Sequence, residues 1–163
     1  MASAAVFDLD GTLACLPINW EALFEEFKRI MHADVVRPLV DAVSRVDERT
    51  KQEVFLAWDK AELASCEQAT TCGEGMKLYR KFKGKPKALV TLQGKAVVTP
   101  LLKNLGLKFD AIFTREDTLF REEQLRMAIE RLKVPVADVL FVGNVESDAV
   151  AALKVGCQFQ KVK

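Results

Sequence analysis

Two aspartates, separated by one residue, stand at the end of an apolar run near the start of the chain. Residues 6–13 read V-F-D-L-D-G-T-L, so that Asp8 and Asp10 come directly before a glycine and a threonine. Gly11 permits a tight turn, and Thr12 can cap or fix it. A buried strand that ends in such a turn aims both carboxylates at one point. Carboxylates in this arrangement can act as a nucleophile and as a general acid and base.

The elements that must position these carboxylates alternate between short apolar strands and helices. Strands are predicted at residues 4–9, 87–92, 109–114, 139–143 and 157–162. Helices are predicted between the later strands, at residues 95–105, 121–133 and 147–155. This alternation indicates right-handed crossovers and a parallel sheet that is covered on both faces. The predicted fold class is therefore α/β.

A second group of helices lies between the first strand and the rest of the sheet. Apolar residues at helical spacing predict helices at residues 19–31, 36–46 and 48–69, and a further short helix around 76–82. The first three could form a small all-helical lobe. Trp20, Phe24, Phe27 and Trp58 are expected to be its core in preference to stacking on a substrate.

Polar residues follow the predicted strands at the edge where an open parallel sheet binds its ligands. They are Asp8 and Asp10, Thr91, residues 115–117 and residues 144–148. Asp8, Asp10 and Asp148 would repel one another if they met in a partly dehydrated cleft, so a positive charge is expected among them. Mg²⁺ suits such a site because it prefers oxygen ligands and keeps positions for water and phosphate.

An anion pocket is expected opposite the carboxylates. Thr91 offers a hydroxyl, and the turn Gln93-Gly94-Lys95, which opens a helix, offers backbone N–H groups. A carboxylate nucleophile beside Mg²⁺ and an anion pocket is the equipment for phosphoryl transfer through an aspartyl-phosphate. In this interpretation Asp8 attacks phosphorus, while Asp10 protonates the leaving oxygen and later takes a proton from water.

The motifs resemble those of the haloacid dehalogenase superfamily, whose members form aspartyl intermediates. F-D-L-D-G-T-L-A resembles the first motif of that family, Thr91 follows A-L-V, and G-N-V-E-S-D at residues 143–148 resembles its G-D-x-x-x-D magnesium motif. The phrase L-G-L-K-F-D-A-I-F-T-R-E-D between them is also similar to the family's core. Asp10 favours the phosphatase branch, because the dehalogenases lack an aspartate at that position.

This resemblance implies a Rossmann-like three-layer core, with a parallel sheet, formed by residues 1–13 and 83–163. A small helical cap, residues 14–82, would be inserted after the first strand. The implied magnesium ligands are Asp8, Asp10, Asn144 and Asp148. The residues expected to bind the substrate phosphate are Thr91, Leu92, Gln93 and Lys95.

Two positions depart from the family's pattern. Asn144 stands where the family usually has an aspartate, and an amide oxygen binds magnesium more weakly than a carboxylate. The family also uses a lysine to bridge nucleophile and phosphate, but the matching stretch here reads T-L-F-R-E-E-Q-L. Arg121 is the nearest cation and is taken as the catalytic one, with Lys95 and Arg115 as alternatives; arginine binds phosphate well but is bulkier than lysine.

Composition narrows the partners and the compartment. The chain has 24 basic and 23 acidic residues and no basic run, so nucleic acid is not expected as a partner. No apolar stretch approaches the roughly 18 residues of a membrane span, and the N-terminus lacks the pattern of a signal peptide. The four cysteines form no C-x-x-C pair. We expect a cytoplasmic protein, either a monomer or a weak homodimer, with a small phosphorylated metabolite as its partner.

The favoured function is that of a Mg²⁺-dependent phosphatase, similar to phosphoglycolate phosphatases with a helical cap. The alternative is a catalytically weak or inactive relative that binds a phosphorylated ligand or a protein, and Asn144 and the missing lysine are its basis. A phosphomutase, which would return the phosphoryl group to a sugar, is a third reading.

Overall fold

The computed structural model describes residues 2–163, and its centre is one parallel sheet. Five strands pair in the order β5-β4-β1-β6-β7, and every pair is parallel. The switch in strand order lies at β1, which has β4 on one side and β6 on the other. The predicted α/β class and parallel sheet are thereby confirmed.

The strands of the chain are β1 Ala4–Asp8, β2 Ala14–Cys15, β3 Thr70–Thr71, β4 Lys87–Val90, β5 Ala111–Phe113, β6 Val139–Gly143 and β7 Gln158–Lys161. The α-helices are α1 Trp20–Met31, α2 Leu39–Ser44, α3 Glu48–Ser65, α4 Gly73–Lys81, α5 Lys95–Leu105, α6 Arg121–Leu132 and α7 Glu146–Val155. Short 3₁₀ helices occupy Cys66–Gln68 and Val136–Asp138. None of the helices within residues 2–163 is long and apolar enough to cross a membrane.

Side chains of β1 alternate between two hydrophobic cores, which makes the sheet the middle of three layers. Ala5 and Phe7 belong to a cluster that includes residues of α4 and α5. Ala4 and Val6 belong to the opposite cluster, which includes residues of α6 and α7. Because successive residues of a strand point to opposite faces, a fully buried strand such as β1 must be apolar throughout. Only its last residue, Asp8, carries a charge.

The cap helices, which we define as α1, α2 and α3, share a core of their own. Phe27, Val54 and Trp58 are buried in it, and Leu119 from the sheet side joins them. Asn19 and Asp47 cap α1 and α3 through their side chains. The boundary at residue 82 stays a prediction; the preceding helix α4 packs on the sheet through Leu78 and Phe82 and not on the cap helices.

Element boundaries differ from the predicted ones in the cap. The helix predicted at 36–46 is confined to α2, because Pro38 disfavours a helical conformation at the residue before it. The helix predicted at 48–69 ends at Ser65 and continues only as a 3₁₀ turn. Two chain crossings connect the cap to the sheet, and there β2 and β3 form a two-residue antiparallel pair.

Candidate active site

The ends of three parallel strands and the start of α6 border a single cavity of about 370 Å³. Seven of the residues predicted to form the site line it, namely Asp8, Asp10, Thr91, Leu92, Gln93, Arg121 and Asn144. Asp148 lies behind this wall, buried, and Lys95 is exposed to solvent. The ends of β1, β4 and β6 therefore share one rim, whereas residues 115–117, predicted at the same edge, do not line the cavity. The chemical roles of all these residues stay predictions.

Asp8 is the buried centre of the site. Its side chain accepts a hydrogen bond from Arg121 Nη2 at 2.9 Å on Oδ1 and one from the Thr12 hydroxyl at 3.2 Å on Oδ2. Burial raises the pKa of Asp8 to about 6, although the Arg121 guanidinium acts in the opposite direction. The carboxylate is held in place by these two donors, yet it retains negative charge that the protein compensates only in part.

Arg121 is the cation that reaches the carboxylates. Its Nε lies 3.1 Å from Asp148 Oδ1, so the guanidinium bridges Asp8 and Asp148. Its Nη1 donates to Gln124 Oε1 at 3.0 Å, and the Gln124 amide in turn donates to the Thr91 carbonyl at 2.8 Å. Three fixed contacts orient the guanidinium toward Asp8, an arrangement that a lysine could not reproduce.

The loop after β6 is packed tightly on the turn after β1. Asp148 Oδ2 accepts the backbone N–H groups of Asn144 at 3.2 Å and Val145 at 3.4 Å, so Asp148 caps the start of α7. A Cβ added to Gly11 would lie 2.1 Å from Asn144 Nδ2, and Gly11 has a φ of +77°. Glycine is thus required at this position both for its backbone conformation and for the approach of Asn144.

A magnesium ion has been predicted among these oxygens, and their chemistry fits a weak site for it. Thr12 Oγ1 lies 3.2 Å from Asp8 Oδ2 and 3.4 Å from Asn144 Oδ1, so one hydroxyl proton serves two converging acceptors. Because one proton can point to only one of these two oxygens at a time, the other oxygen is available to a hard cation. Within residues 2–163, however, no three His, Cys, Asp or Glu side chains are placed to hold a metal together. Asp8 and the neutral amide of Asn144 are the two oxygen donors beside the Thr12 hydroxyl, and the roles of Asp10 and Asp148 as ligands stay predictions.

Asp10 lines the same cavity as Asp8 and contacts the linker to the cap. Its Oδ1 accepts the backbone N–H of Leu16 at 3.4 Å, and burial raises its pKa above the ordinary value. A carboxyl group with a raised pKa that lines the cavity is a suitable proton donor.

The predicted anion-binding turn is already occupied by the protein's own carboxylates. The Gly94 N–H donates to Glu62 Oε1 at 3.0 Å, and the Lys95 N–H donates to Glu116 Oε1 at 2.9 Å. The Gln93 N–H donates to the Thr91 hydroxyl at 3.0 Å. The start of a helix attracts anions, and here Glu62 and Glu116 supply them. The backbone donors of Gln93 and Lys95 therefore do not support the phosphate-binding role predicted for these residues.

The backbone N–H of Leu92, at the cavity wall, has no acceptor among residues 2–163. It stands next to the Thr91 hydroxyl, and both residues line the cavity with Arg121. These three groups are donors that a phosphate could meet in front of Asp8.

Sequence reasoning missed a buried cluster of charged residues that joins α3 to the sheet. Arg115 is fully buried and forms ion pairs with Asp59 and, at 2.9 Å, with Glu62. Its guanidinium also lies 4.3 Å from the centre of the Trp58 ring. Burial raises the pKa of Glu62 to about 7. The sequence signal was faint: Trp58 and Glu62 are four residues apart and so share one face of α3.

The cap helices and the linker before them form the apolar wall of the cavity, through Ile18 of the linker and Trp20, Phe24, Leu39, Val40 and Trp58 of the helices. The four aromatic residues expected in the cap core divide into two pairs. Phe27 and Trp58 are buried, whereas Trp20 is 36% exposed and Phe24 is half-buried. Trp20 and Phe24 are thus cavity residues as well as cap residues, because α1 presents them at its edge.

Comparison with known proteins gives a consistent family and fold. The family model described as haloacid dehalogenase-like hydrolase matches residues 41–162. No curated protein matches the sequence. A haloacid dehalogenase-like hydrolase from Streptococcus pneumoniae has 17% identity and a TM-score of 0.71, over 99% of this chain and 85% of its own. A hydrolase from Pseudomonas syringae has 17% identity and a TM-score of 0.74, over 96% and 83%. CbbY from Rhodobacter sphaeroides, solved in complex with phosphate, has 18% identity and a TM-score of 0.69, over 100% and 88%.

Proposed function

This chain belongs to the family of haloacid dehalogenase-like hydrolases, and from that premise we propose that it is a phosphatase that hydrolyses a small phosphomonoester through an aspartyl-phosphate on Asp8. The observation that carries the proposal is the setting of Asp8. It is a buried carboxylate at the switch point of a parallel sheet, and Arg121 holds it in place. It faces a cavity lined by further groups that can donate hydrogen bonds to a phosphate.

In the first half-reaction a carboxylate oxygen of Asp8 forms a bond to phosphorus while the bond to the leaving oxygen breaks. The Arg121 guanidinium, the Thr91 hydroxyl and the Leu92 N–H stabilise charge on the transferring group. Asp10 donates its proton to the leaving oxygen, which departs as an alcohol. The raised pKa of Asp10 keeps that proton available.

In the second half-reaction Asp10 accepts a proton from water, whose oxygen attacks phosphorus. The bond between phosphorus and Asp8 breaks, inorganic phosphate leaves and the Asp8 carboxylate is restored. Arg121 stays paired with Asp8 and Asp148 in both steps, because Gln124 fixes its third nitrogen.

The proposal includes Mg²⁺, held by Asp8 and Asn144 with Asp10 beside them. When bound, the ion neutralises charge on the phosphoryl group. Asp148 is also predicted as a ligand: its Oδ2 accepts the N–H groups of residues 144 and 145, whereas its Oδ1, 3.1 Å from Arg121 Nε, has no hydrogen-bond partner among residues 2–163. Because an amide replaces a carboxylate at residue 144, Asn144→Asp should bind Mg²⁺ more tightly, as measured by calorimetry. Equal or weaker binding by this variant would remove Asn144 from the metal site.

Two structural neighbours bear on the choice of reaction. One is a putative β-phosphoglucomutase from Thermotoga maritima and another is a predicted phosphatase from Clostridium acetobutylicum, at 19% and 20% identity.

The second candidate function is a module that binds a phosphorylated ligand without turning it over. The neutral Asn144 and the occupied helix start at Gly94 are the observations that favour it.

Hydrolysis of p-nitrophenyl phosphate, measured with Mg²⁺ and with chelator, tests the proposal. We expect turnover with Mg²⁺, its loss with chelator and its loss in Asp8→Asn. The control Asp41→Asn replaces an exposed aspartate of the cap and should leave the rate unchanged. Full activity in Asp8→Asn would exclude Asp8 as the nucleophile. No turnover of any member of a broad phosphomonoester panel, together with measurable phosphate binding, would establish the binding module instead.

A further inference from the structure

The cavity has two chemically different ends. Asp8, Thr91 and Arg121 form a polar end that matches a phosphate, whereas the cap helices supply an apolar wall. A substrate as small as phosphoglycolate, or one covered with hydroxyl groups, would leave this wall against water or against polar atoms. Burial of apolar surface is the main source of affinity in such pockets, so the wall favours a ligand with an apolar body.

The wall is aromatic at its exposed part. Trp20 and Phe24 lie one helical turn apart on α1, with ring centres 5.8 Å apart. The ring of Trp58 stands edge-on to Trp20, with centres 6.3 Å apart. The Arg37 guanidinium lies 4.1 Å above the Phe24 ring and so covers one of its faces. Trp20 keeps a free surface, and a planar ring placed there gains roughly 2- to 10-fold in affinity over an aliphatic group of equal area.

Two buried polar atoms beside this wall have no partner among residues 2–163, the indole nitrogen Nε1 of Trp58 and one carboxylate oxygen of Glu62. Glu62 is fully buried, and its Oε1 binds Gly94 and Arg115. Its Oε2 has no hydrogen-bond partner among residues 2–163. Glu62 lines the cavity with Trp20, and it follows Trp58 by one turn of α3. A buried carboxylate oxygen without a donor is costly, and an N–H or O–H group of a ligand would satisfy it.

We propose, on the basis of the phosphatase function above, that the substrate is an aromatic phosphomonoester. Its phosphate lies against Arg121, its ring lies against Trp20, and a hydroxyl or amino group on the ring donates a hydrogen bond to Glu62 Oε2. Glu62 is then a specificity-determining residue that the cap contributes to the site.

Binding of phosphonates to the wild-type protein tests the ring, because a carbon–phosphorus bond is not hydrolysed. The two tryptophans of the chain both line the cavity, so their fluorescence reports binding directly. We expect benzylphosphonate to bind at least about 10-fold more tightly than 3,4-dihydroxybutylphosphonate, with cyclohexylmethylphosphonate between them. Trp20→Leu should remove the preference of benzyl over cyclohexylmethyl, with Trp58 as the remaining reporter. Leu56→Ala, an exposed cap position, is the control.

The same titration with ring-hydroxylated benzylphosphonates tests Glu62. At pH 8.5, at least one of the ortho, meta and para isomers should bind about 10-fold more tightly than benzylphosphonate itself. Glu62→Gln should abolish that advantage, so that hydroxylated benzylphosphonates and benzylphosphonate itself bind the variant equally well. Asp59→Asn removes the other ion-pair partner of Arg115 without touching the cavity, and it should retain the advantage.

Two results would overturn the inference. Equal or tighter binding of the dihydroxybutyl compound would show that the wall does not select a ring. Equal losses for hydroxylated and plain ligands in Glu62→Gln would reduce Glu62 to a structural ion-pair residue. Because these measurements need no turnover, they stay separate from the phosphatase proposal: binding of benzylphosphonate without hydrolysis of any aryl phosphate would refute only the latter.

Discussion

The contact between α4 and the turn after β1 allows a sharp test of how the site is positioned. A Cβ added to Gly75 would lie 1.7 Å from the Thr12 carbonyl oxygen and 2.7 Å from its carbon. Both are backbone atoms, so no change of rotamer relieves the overlap. Gly73 lies on the same helix, and a Cβ there meets nothing within 4 Å. Gly75→Ala and Gly73→Ala are therefore a matched pair: the substitution is the same, but only at residue 75 does the added Cβ overlap other atoms.

Overpacking against backbone atoms costs up to about 3 kcal/mol, and the higher helix propensity of alanine returns about 1 kcal/mol. The expected loss for Gly75→Ala is thus about 2 kcal/mol. For a chain of 163 residues this lowers the melting temperature by roughly 4–8 °C. Gly73→Ala has only the gain in propensity, so its melting temperature should equal or slightly exceed that of the wild type.

The same displacement should reach the chemistry. Thr12 belongs to the turn that follows Asp8 and donates its hydroxyl to that carboxylate. A shift of this turn by about 1 Å misplaces the nucleophile, and misplacement on that scale costs on the order of 10²-fold in kcat/KM. Thermal unfolding by circular dichroism and hydrolysis of an aryl phosphate, assayed well below the melting temperature of the variant, measure the two effects. If Gly75→Ala matched Gly73→Ala in both, α4 would have no part in positioning Asp8.

Three further perturbations test individual contacts. Burial raises the pKa of Glu62 from 4.5 to about 7; the folded state therefore binds this proton more tightly, and the free energy of unfolding should fall by about 3 kcal/mol as pH rises from below 4.5 to above 7. Measured by urea denaturation, the free energy of unfolding of Glu62→Gln should lack this decrease with pH. If the free energies of the two proteins changed with pH in parallel, the raised pKa would not belong to Glu62. Arg121→Leu should lower kcat/KM by about 10²-fold and Arg121→Lys by about 10-fold, because lysine keeps the charge beside Asp8 but not the bridge; equal rates for all three proteins would show that the bridge is dispensable. The sulfur atoms of Cys15 and Cys72 lie 3.5 Å apart, and the two residues are 57 positions apart in sequence. Oxidation by glutathione disulfide should therefore join them in a disulfide and raise the free energy of unfolding by about 4 kcal/mol. An unchanged mass and an unchanged denaturation curve after oxidation would refute this.

The strand ends are the part of the molecule that the sequence predicts best. V-F-D-L-D-G-T and V-L-F-V-G-N are apolar runs followed by turn residues, and β1 and β6 end within one residue of the predicted positions. Parallel strands present their carboxyl ends at one edge, so the meeting of Asp8 with Asn144 follows from the pattern alone. The reach of Arg121 does not, because the loop before α6 has no periodic signal. The contacts with Gln124, Asp8 and Asp148 together decide where its guanidinium points.

The contacts between α3 and the sheet edge could not be predicted, because each residue, judged from its neighbours in sequence, would be expected in a more common, solvent-exposed setting. Charged residues on a helix such as α3 usually face water, and a cation after a strand end is usually a loop residue. Tertiary packing instead buries Arg115 between Asp59 and Glu62. Two carboxylates around one guanidinium leave an excess of negative charge. The pKa of Glu62 is raised mainly because the carboxyl group is buried away from water; the Arg115 guanidinium acts against this, and the charge of Asp59 makes the smallest contribution.

That excess also determines which groups are left for a phosphate. The free N–H groups at the start of α5 are the obvious anion site in the sequence, yet Glu62 and Glu116 fill it in the folded chain. A bound phosphate would have to displace these anions or avoid them, and displacement would strip Glu62 of the backbone donor that its Oε1 uses. Avoidance is the less costly solution, and it places the phosphate closer to Thr91 and Arg121, directly in front of the Asp8 carboxylate. If the proposed function holds, Glu62 of the cap thus restricts where a substrate phosphate can bind.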